Sequence, residues 1–600
     1  MAVSEFLLDS VLHEKFGLKE FRPKQREVID HILIGRHTLA LLPTGYGKSL
    51  CYQVPSQILP GATIVVSPLI ALMQDQLNGL LRRGISNATL LNSSVSPDEL
   101  DIRFGGIKAG VFKLVYVAPE RFESPRFRNL LEQIDVSLLV IDEAHCISQW
   151  GHDFRPQYRN LSGYILNHLK AASVLALTAT ATPQVQRDII QSLNLPKMNV
   201  VTGSFDRPNI RFEVEGVTNA VGKDSFVFSA LKSTQAPAIV YTSSRKEAEA
   251  LSERMRQSGL TAACYHAGLT GEQRQRAQKL FETDKVSTIV STVAFGMGVD
   301  KANIRRVIHY NLPGSLESYY QEAGRAGRDG EPATCTLLYQ SKDVHTQRWL
   351  MDRNFPTPHQ VEIAYKLITS AGMQPMRMST LLDDIDIADS ALNSALDLLK
   401  HLQLIDTTPD GSFMARVSDG QIDMSSLNQR KLRHSQRLDQ MIRYAQDIIC
   451  RRRQILGYFG QFTESCSGCD VCAPRESVRP LVRRIGQSLL DDGKTSNLAE
   501  AILQIVTDLN GTVGRTTIAQ ILTGSGNKKL KEKGLDQGPM FGRFSVFKQD
   551  QLLASIDELI TRGDLQSVPG MYPKVVITAN GAQKLVTSKA VVATSPVEPS

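Results

Sequence analysis

From Thr38 to Val54 the chain passes from an apolar run through a glycine-bearing turn into a helical stretch: Thr38–Leu42, then Pro43-Thr44-Gly45-Tyr46-Gly47-Lys48-Ser49, then Leu50-Cys51-Tyr52-Gln53-Val54. Nothing else narrows the fold as much, because a buried strand feeding a tight turn and a helix opens an α/β unit on a parallel sheet. Such a turn leaves backbone N–H groups aimed at phosphate oxygens. Lys48 then reaches the outer phosphates, and the Ser49 hydroxyl ligates Mg2+. The strict G-x-x-x-x-G-K-[ST] pattern is not met, since Leu42 takes the place of its first glycine; the looser T-G-x-G-K-S form remains. A Gly-Lys-Ser turn is also a plain strand–helix connection, so its meaning depends on the motifs downstream of it.

From there to Gly203 short apolar runs alternate with helical stretches. Thr63–Val66, Lys113–Val117, Ser137–Ile141 and Val174–Leu177 are nearly continuous in apolar residues, the mark of parallel strands covered on both faces. Polar motifs follow their carboxyl ends, where ligands gather in such sheets: Ser67-Pro68-Leu69, Ala118-Pro119-Glu120-Arg121, Asp142-Glu143-Ala144-His145 and Thr178-Ala179-Thr180. In the third, one carboxylate can hold Mg2+ through water while its neighbour polarises the water that attacks a γ-phosphate. An acidic pair after a strand is common; with Lys48-Ser49 upstream it reads as nucleotide hydrolysis. Before the turn, Phe16–Gln25 reads as a loop leading into a helix Gln25–Leu33. Its functional alternative is that the planar amide of Gln25 pairs with an adenine edge.

A second α/β unit starts near Pro237, with strands Ala238–Tyr241, Val286–Val290 and Arg306–Tyr310 and a helix Arg245–Gly259, but no phosphate loop. It carries Gln321-Glu322-Ala323-Gly324-Arg325-Ala326-Gly327-Arg328. Read as helix, Arg325 and Arg328 share a face. They are either solvated surface or a source of one cation for the γ-phosphate across an interlobe cleft.

Together these motifs resemble the core of a superfamily 2 helicase and, more narrowly, the RecQ family of DNA helicases. The narrowing strings are Asp142–Pro156 (DEAHCISQWGHDFRP), Ser204–Asn209 (SFDRPN) and Ala294–Lys301 (AFGMGVDK). The likeness covers 15–345 closely and resumes from about 434 to 590. It implies two RecA-like lobes that use ATP and Mg2+ to translocate 3′ to 5′ on single-stranded DNA and unwind duplex DNA in recombination, repair or replication. By resemblance Arg22 and Gln25 read adenine, Thr44, Gly45, Gly47, Lys48 and Ser49 hold phosphates, and Asp300 joins the nucleotide set. Mg2+ falls to Ser49 and Asp142. The catalytic set is Lys48, Asp142, Glu143, His145, Gln321, Arg325 and Arg328, with Arg328 (and Arg325) as the finger. The loop Trp150–Arg155 is implied to sense single-stranded DNA. Trp150 and Phe154 offer stacking faces and Arg155 a phosphate or cation–π contact. The alternative for the two aromatics is ordinary core, against which stands their interleaving with Gly, His, Asp and Arg. Tyr46 departs from the family, which usually has glycine there, and implies a slightly stiffer loop that still binds ATP.

Downstream, Lys431, Arg433, Arg437, Arg443 and Arg451–Arg453 are read onto one long helix with an apolar stripe from Leu438 to Ile455. Cys450 lies on it, and Cys466, Cys469 and Cys472 follow as C-x2-C-x2-C. Four thiolates make a closed tetrahedral Zn2+ site. The set resembles the RecQ zinc module, with Tyr458-Phe459-Gly460 and Asp470 in place. An iron–sulfur cluster is the runner-up, without the downstream fourth cysteine of the bacterial ferredoxin run; reactive thiols come third. Residues 481–590 resemble the family's winged helix, with helices Leu498–Leu509, Thr516–Leu522 and Gln551–Arg562 and a hairpin Leu565–Ser567/Lys574–Thr578. Tyr572 at its turn either stacks on an end base pair or is a half-exposed wing aromatic.

Residues 341 to about 433 depart from the compact pattern. Two helical periodicities (Val361–Ile368, Leu392–Leu402) precede a turn at Thr407–Gly411, which suggests a second small winged helix. From His359 to Ser425 there are ten acidic and four basic residues, the wrong sign for a DNA surface. The expectation is a spacer or a docking site for a protein partner, with a decoration lacking any binding role as the alternative.

With 600 residues several cores are required. The expected order is lobe 1 (1–203), lobe 2 (204–345), acidic insertion (346–433), zinc module (434–480), winged helix (481–590) and disordered tail (591–600), with no room for the further helical domain many relatives carry. No apolar run suits a membrane span, and Met1–Ser10 lacks a basic n-region. The remaining cysteines, Cys51, Cys146, Cys264 and Cys335, are scattered and read as small buried residues. A cytoplasmic, nucleoid-associated monomer is expected. An RNA helicase and an ATP-gated DNA-binding scaffold are the alternatives.

Overall fold

Seven parallel strands carry the first third of the chain: β1 Thr38–Leu41, β2 Ala62–Val66, β3 Ala88–Leu91, β4 Leu114–Val117, β5 Val136–Ile141, β6 Ser173–Thr178 and β7 Asn199–Thr202. The molecule is seen in a computed structural model that describes residues 5–93, 95–148, 158, 161, 163–165, 173–195, 197–233, 236–296, 301–372, 374–408, 410–417, 420–447, 449–466, 468–473, 494–509, 511–525, 527, 530, 532, 534–538, 540–544, 549–561, 563–568, 574–583 and 585. The sheet order is β3-β4-β2-β5-β6-β1-β7. Apolar cores lie on its two faces, one around Ile64, Val115 and Leu139, the other around Val65, Tyr116 and Val140. Burial on both sides is why these strands lack polar alternation. The order also makes β5, β6 and β1 neighbours, with Leu41 beside Thr178 and Ile141 beside Ala176. The three motifs at the ends of these strands therefore meet at one end of the sheet.

The second sheet is parallel too: β8 Ile210–Gly216, β9 Ala238–Tyr241, β10 Ala262–Tyr265, β11 Thr288–Ser291, β12 Arg306–His309 and β13 Ala333–Tyr339, in the order β10-β11-β9-β12-β13-β8. Strands β3, β7, β8, β10 and β13 are additions to the sequence reading. Several are edge strands with half-exposed or polar residues, so they lack the continuous apolar signal.

The acidic segment folds as three helices, Pro358–Ser370, Met378–Asp384 and Asp389–His401, and a hairpin of Ile405–Thr407 with Phe413–Ala415. A bridge from Met376 to Phe413 adds a third strand position. It has a core of its own that includes Val361, Leu381, Leu392, Leu399 and Phe413. The third helix packs on Ser341–Asn354, with the Ser390 hydroxyl donating to Asn354 Oδ1 at 2.7 Å.

Beyond this unit the structure corrects two expectations. The boundary expected at 433 falls inside one helix, Ser425–Gln446. The single long helix expected to run on to Ile455 is two helices, the second being Arg451–Tyr458, separated by Asp447–Cys450. The break has a local cause. Arg451 turns its guanidinium back onto the carbonyls of Tyr444 (2.5 Å) and Asp447 (2.7 Å), a cationic cap on the first helix's orphan acceptors.

Two compact units divide the chain, 1–473 and 474–600. The second contains helices Lys494–Asp508, Arg515–Thr523 and Gln549–Thr561 and an antiparallel pair Leu565–Val568/Lys574–Ile577 around Ile502, Ile518, Leu552 and Val575. Tyr572 lies outside the described residues. No helix among the described residues is long and apolar enough to cross a membrane.

Candidate active site and zinc centre

The turn after β1 closes through Tyr46 N–H donating to the Pro43 carbonyl at 3.1 Å, and Leu50 opens the helix Leu50–Ser56. Gly45 and Gly47 have φ of +83° and +77°, while Tyr46 between them is not in the left-handed region. A tyrosine is thus accommodated between two left-handed glycines. A side chain at Gly47 would also put its Cβ 2.7 Å from Gln25 Nε2.

Gln25 is buried, and its amide is engaged with the loop. Nε2 donates to the carbonyls of Tyr46 (2.8 Å) and Gly47 (2.9 Å), and Oε1 accepts from Arg22 N–H at 2.9 Å. Arg22 donates to the Gly45 carbonyl at 2.7 Å and stands over the Tyr46 ring, 5.3 Å from its centroid. Both residues therefore brace the loop in this structure, and pairing with adenine would first require the Gln25 amide to release it.

Asp142 and Glu143 follow β5. Asp142 Oδ1 accepts from Glu143 N–H at 3.0 Å, and Glu143 has a left-handed backbone, φ 49°. Burial, then the charge of Glu143, pushes the Asp142 carboxyl up to about 7 against the pull of Lys48. His145 Nδ1 lies 3.0 Å from Thr178 Oγ1 and 3.3 Å from Glu143 Oε2, so it joins the acidic pair to the Thr178–Thr180 motif. Burial alone would lower its pKa; Cys146 and Glu143 outweigh it and raise it. Tyr158 is fully buried and donates to the Asp142 carbonyl at 3.2 Å. Trp150, Phe154, Arg155 and Asp300 lie outside the described residues.

The expectation of two arginines on one helical face is corrected. The helix Leu316–Ala323 stops before them, and Gly324–Gly330 is a run of turns. The two then diverge. Arg325 is buried within lobe 2, with its guanidinium donating to the Gly296 carbonyl. Arg328 turns towards the phosphate loop, where a Cβ built on Gly45 would lie 3.2 Å from its Cγ. Gln321 is half-buried on the helix just before.

Arg207 stands in the sequence only as one member of the SFDRPN string, yet it bridges the lobes. Its guanidinium donates to the carbonyls of Thr44 (3.3 Å), Gly324 (3.0 Å), Ala326 (2.8 Å) and Gly327 (2.9 Å). Burial, with Arg22 nearby, holds it below its usual pKa. The only sequence signal is an arginine fixed between Asp206 and Pro208.

The Sγ atoms of Cys450, Cys466, Cys469 and Cys472 all lie within 4.8 Å of one another. Tetrahedral Zn–S bonds of about 2.3 Å place sulfurs about 3.8 Å apart, so the set fits Zn2+ with modest tightening. The helix break puts Cys450 at the start of Arg451–Tyr458, which turns its thiol to the triplet. The triplet is strapped to β8: Cys469 bridges Phe212, Asp470 N–H donates to the Phe212 carbonyl, and Asp470 accepts from Val214 N–H and from Arg451.

Two parallel-sheet lobes with a phosphate loop on one and an arginine-bearing turn on the other define a RecA-like nucleotide-driven motor of the helicase type. Family models agree along the chain: "DEAD/DEAH box helicase" over 22–189, "Helicase conserved C-terminal domain" over 222–330, "RecQ zinc-binding" over 399–473 and "RQC domain" over 494–600. An ATP-dependent DNA helicase RecQ of Bacillus subtilis is 34% identical over 579 residues, 96% of this chain and 83% of its own. Its counterpart in Pasteurella multocida is 35% identical over 559 residues, 93% and 74% of the two chains. A solved structure of the DUF1998 helicase MrfA bound to DNA and AMPPNP is 20% identical with a TM-score of 0.48, covering 70% of this chain and 62% of that one. The chain belongs to the RecQ family of ATP-dependent DNA helicases. It is an ATP-dependent enzyme that binds and unwinds DNA, and it carries a structural Zn2+ site.

Proposed function

We propose that this helicase moves 3′ to 5′ along one strand, with Glu143 as general base, Asp142 and Ser49 as Mg2+ holders, Lys48 on the outer phosphates and Arg328 as the cation supplied by the second lobe. The observation that carries the assignment of Arg328 is its approach to Gly45 while Arg325 stays buried against Gly296. His145 relays the state of the acidic pair to Thr178 through its 3.0 Å contact. When bound, Mg2+–ATP supplies the charge that these groups polarise; the chain's own part is to orient it and to position water.

Single-stranded DNA is the proposed stimulus, received through Trp150, Phe154 and Arg155. Tyr158, which donates to the Asp142 carbonyl, links the segment carrying that loop to the catalytic pair. Tyr572 is proposed to stack at the duplex end. The protein is proposed to act as a monomer. The acidic insertion is proposed as a spacer rather than a DNA surface. Its third helix, the one a winged helix commonly presents to DNA, is turned onto Ser341–Asn354. An alternative use is docking of a protein partner through 359–425.

The test is ATP hydrolysis with and without single-stranded DNA, followed by unwinding of 3′- and 5′-tailed duplexes. Unwinding confined to the 5′-tailed substrate would overturn the polarity, and DNA-independent hydrolysis would overturn the role of the loop.

A further inference from the structure

The chain crosses from lobe 1 to lobe 2 after β7, with neither helix nor strand from Gly203 to Arg207. Gly203 belongs to lobe 1: its N–H donates to the Leu41 carbonyl, 2.8 Å away at the end of β1. Phe205 belongs to lobe 2: its carbonyl accepts from Tyr320 Oη on the helix Leu316–Ala323. One exposed residue, Ser204, separates the two anchors. Two positions beyond Phe205 stands Arg207, whose guanidinium joins the phosphate loop to the turn bearing Arg328.

The zinc module lies along this crossing, and Gln461 spans Ser204. Its Oε1 accepts from Phe205 N–H at 2.8 Å, and its Nε2 donates to the Gly203 carbonyl at 2.9 Å. One planar amide, which carries both a donor and an acceptor, thus holds the lobe 1 end and the lobe 2 end at once. Ring packing keeps it in place. Phe459 stacks on Phe205, with centroids 4.8 Å apart and planes 14° from parallel, and its centroid lies 5.1 Å from that of Tyr320. Gly460 has φ +77°, and a Cβ there would lie 2.7 Å from Pro183 Cγ at the start of a lobe 1 helix. The turn that leads into Gln461 therefore calls for glycine. Farther along, Arg452 donates to Asp206 and, at 2.8 Å, to the Ile210 carbonyl. The zinc module accordingly grips the crossing at Gly203, Phe205, Asp206 and Ile210.

We propose that Gln461 is a positioning residue for ATP turnover: it sets the course of the interlobe crossing and so delivers Arg207, and through it Arg328, to the phosphate loop. The proposal rests on the helicase reading and gives the zinc module a part in hydrolysis that metal binding alone does not require. An extended chain advances at most about 3.3–3.6 Å per residue, so the Arg207 backbone stays within about 7 Å of the Phe205 anchor. A shift of that anchor is passed on to the guanidinium. Its four carbonyl acceptors tolerate little displacement, because hydrogen bonds weaken steeply away from linearity. A misplacement of about 1 Å is enough to lower a rate on the order of 10²-fold. Lobe motion is absorbed by a few loop residues, and tying Gly203 to Phe205 across Ser204 leaves those residues few arrangements. Nucleotide binding falls to Lys48 and Ser49 on lobe 1, which Gln461 does not touch, so the effect belongs to kcat rather than KM.

The test is steady-state ATP hydrolysis by the full zinc-loaded chain with saturating oligothymidylate, for Gln461→Ala beside the parent. Loss of two neutral hydrogen bonds predicts a kcat lower by about 5–100-fold, with KM for ATP, zinc content and Tm near the parent's. Gln461→Glu keeps the acceptor for Phe205 N–H and loses the donor to Gly203, so it should recover part of kcat. The double variant Gln461→Ala/Arg207→Lys should be no slower than Arg207→Lys alone, because the group to be positioned is already gone. An unchanged kcat in Gln461→Ala overturns the proposal. So does a loss that multiplies with that of Arg207→Lys, or a lowered Tm with kcat per folded molecule intact, which would leave Gln461 a structural residue. If the alanine variant does not fold, Phe459→Leu reads the same crossing by removing the stack on Phe205. It should show the same split of kcat from KM, and a parent-like kcat there overturns the proposal. A parent chain without DNA-stimulated hydrolysis would overturn the helicase reading and the proposal with it, whereas parent-like variants of an active chain remove the proposal alone.

Discussion

The guanidinium of Arg207 donates to the carbonyl oxygen of Thr44, 3.3 Å away in the phosphate loop, while gripping Gly324, Ala326 and Gly327 in the turn that bears Arg325 and Arg328. Two loops from different lobes are thereby held by one planar cation. Lysine cannot reproduce this, because an ammonium is a point charge without a rigid fork. Hydrogen bonds from a charged donor contribute about 1.5–3 kcal/mol each, so Arg207→Lys should reduce kcat for ATP by about 10–100-fold. Nucleotide-free DNA affinity should hardly move. Loss of both together, with a lowered Tm, would mean that Arg207 only stabilises the fold.

Glu143→Gln should keep Mg2+–ATP binding and lose turnover, since Asp142 and Lys48 remain. Removing a general base costs on the order of 10²–10⁴-fold. Single-turnover hydrolysis in that variant checks it, and a near-normal rate would reassign the base.

The pH dependence of nucleotide binding follows from Asp142, pushed up to about 7 by burial and Glu143. Below that value the free carboxyl holds a proton, which the metal must displace. Affinity for Mg2+–ATP should therefore weaken as pH falls below 7, by about tenfold per unit for one proton displaced, and level off above it. Isothermal titration across this range tests the sign. Asp142→Asn should flatten the profile, and a parent profile already flat would show that the carboxylate is ionised throughout.

Metal analysis should find about one Zn2+ per chain for four thiolates. Removing it, or introducing Cys469→Ser, should unfasten the knuckle from β8, because Cys469 bridges Phe212 and Asp470 clasps Val214 and Arg451. The expected readout is a lower Tm and poorer folding yield, with little change in ATP affinity in the fraction that folds. Iron with visible absorbance in place of zinc would overturn the assignment.

Deleting 359–425 with a short linker should leave the salt slope of DNA binding unchanged, since the segment carries ten acidic and four basic residues and affinity rests on cations that displace counterions. A slope reduced by several units would reveal phosphate contacts there.

The phosphate loop, the acidic pair and the four cysteines were legible in the residues alone. They are contiguous or closely spaced motifs, and each is defined by local chemistry: backbone N–H groups at a turn, paired carboxylates after a strand, thiolates at metal-binding spacing. The alternation of apolar strands with helices likewise announced parallel sheets, because burial on both faces leaves a continuous apolar record. The strand order, the break at Asp447–Cys450 and the partners of the arginines were decided only by tertiary structure. Arg325 and Arg328 are three apart in sequence and share a face if read as helix, yet one is buried against Gly296 and the other faces Gly45. Arg207 had no motif of its own, and its importance comes from carbonyls contributed by residues more than a hundred positions away. Carbonyl groups are present at every residue and leave no mark in the sequence, so which of them an arginine will meet is settled only when the lobes pack.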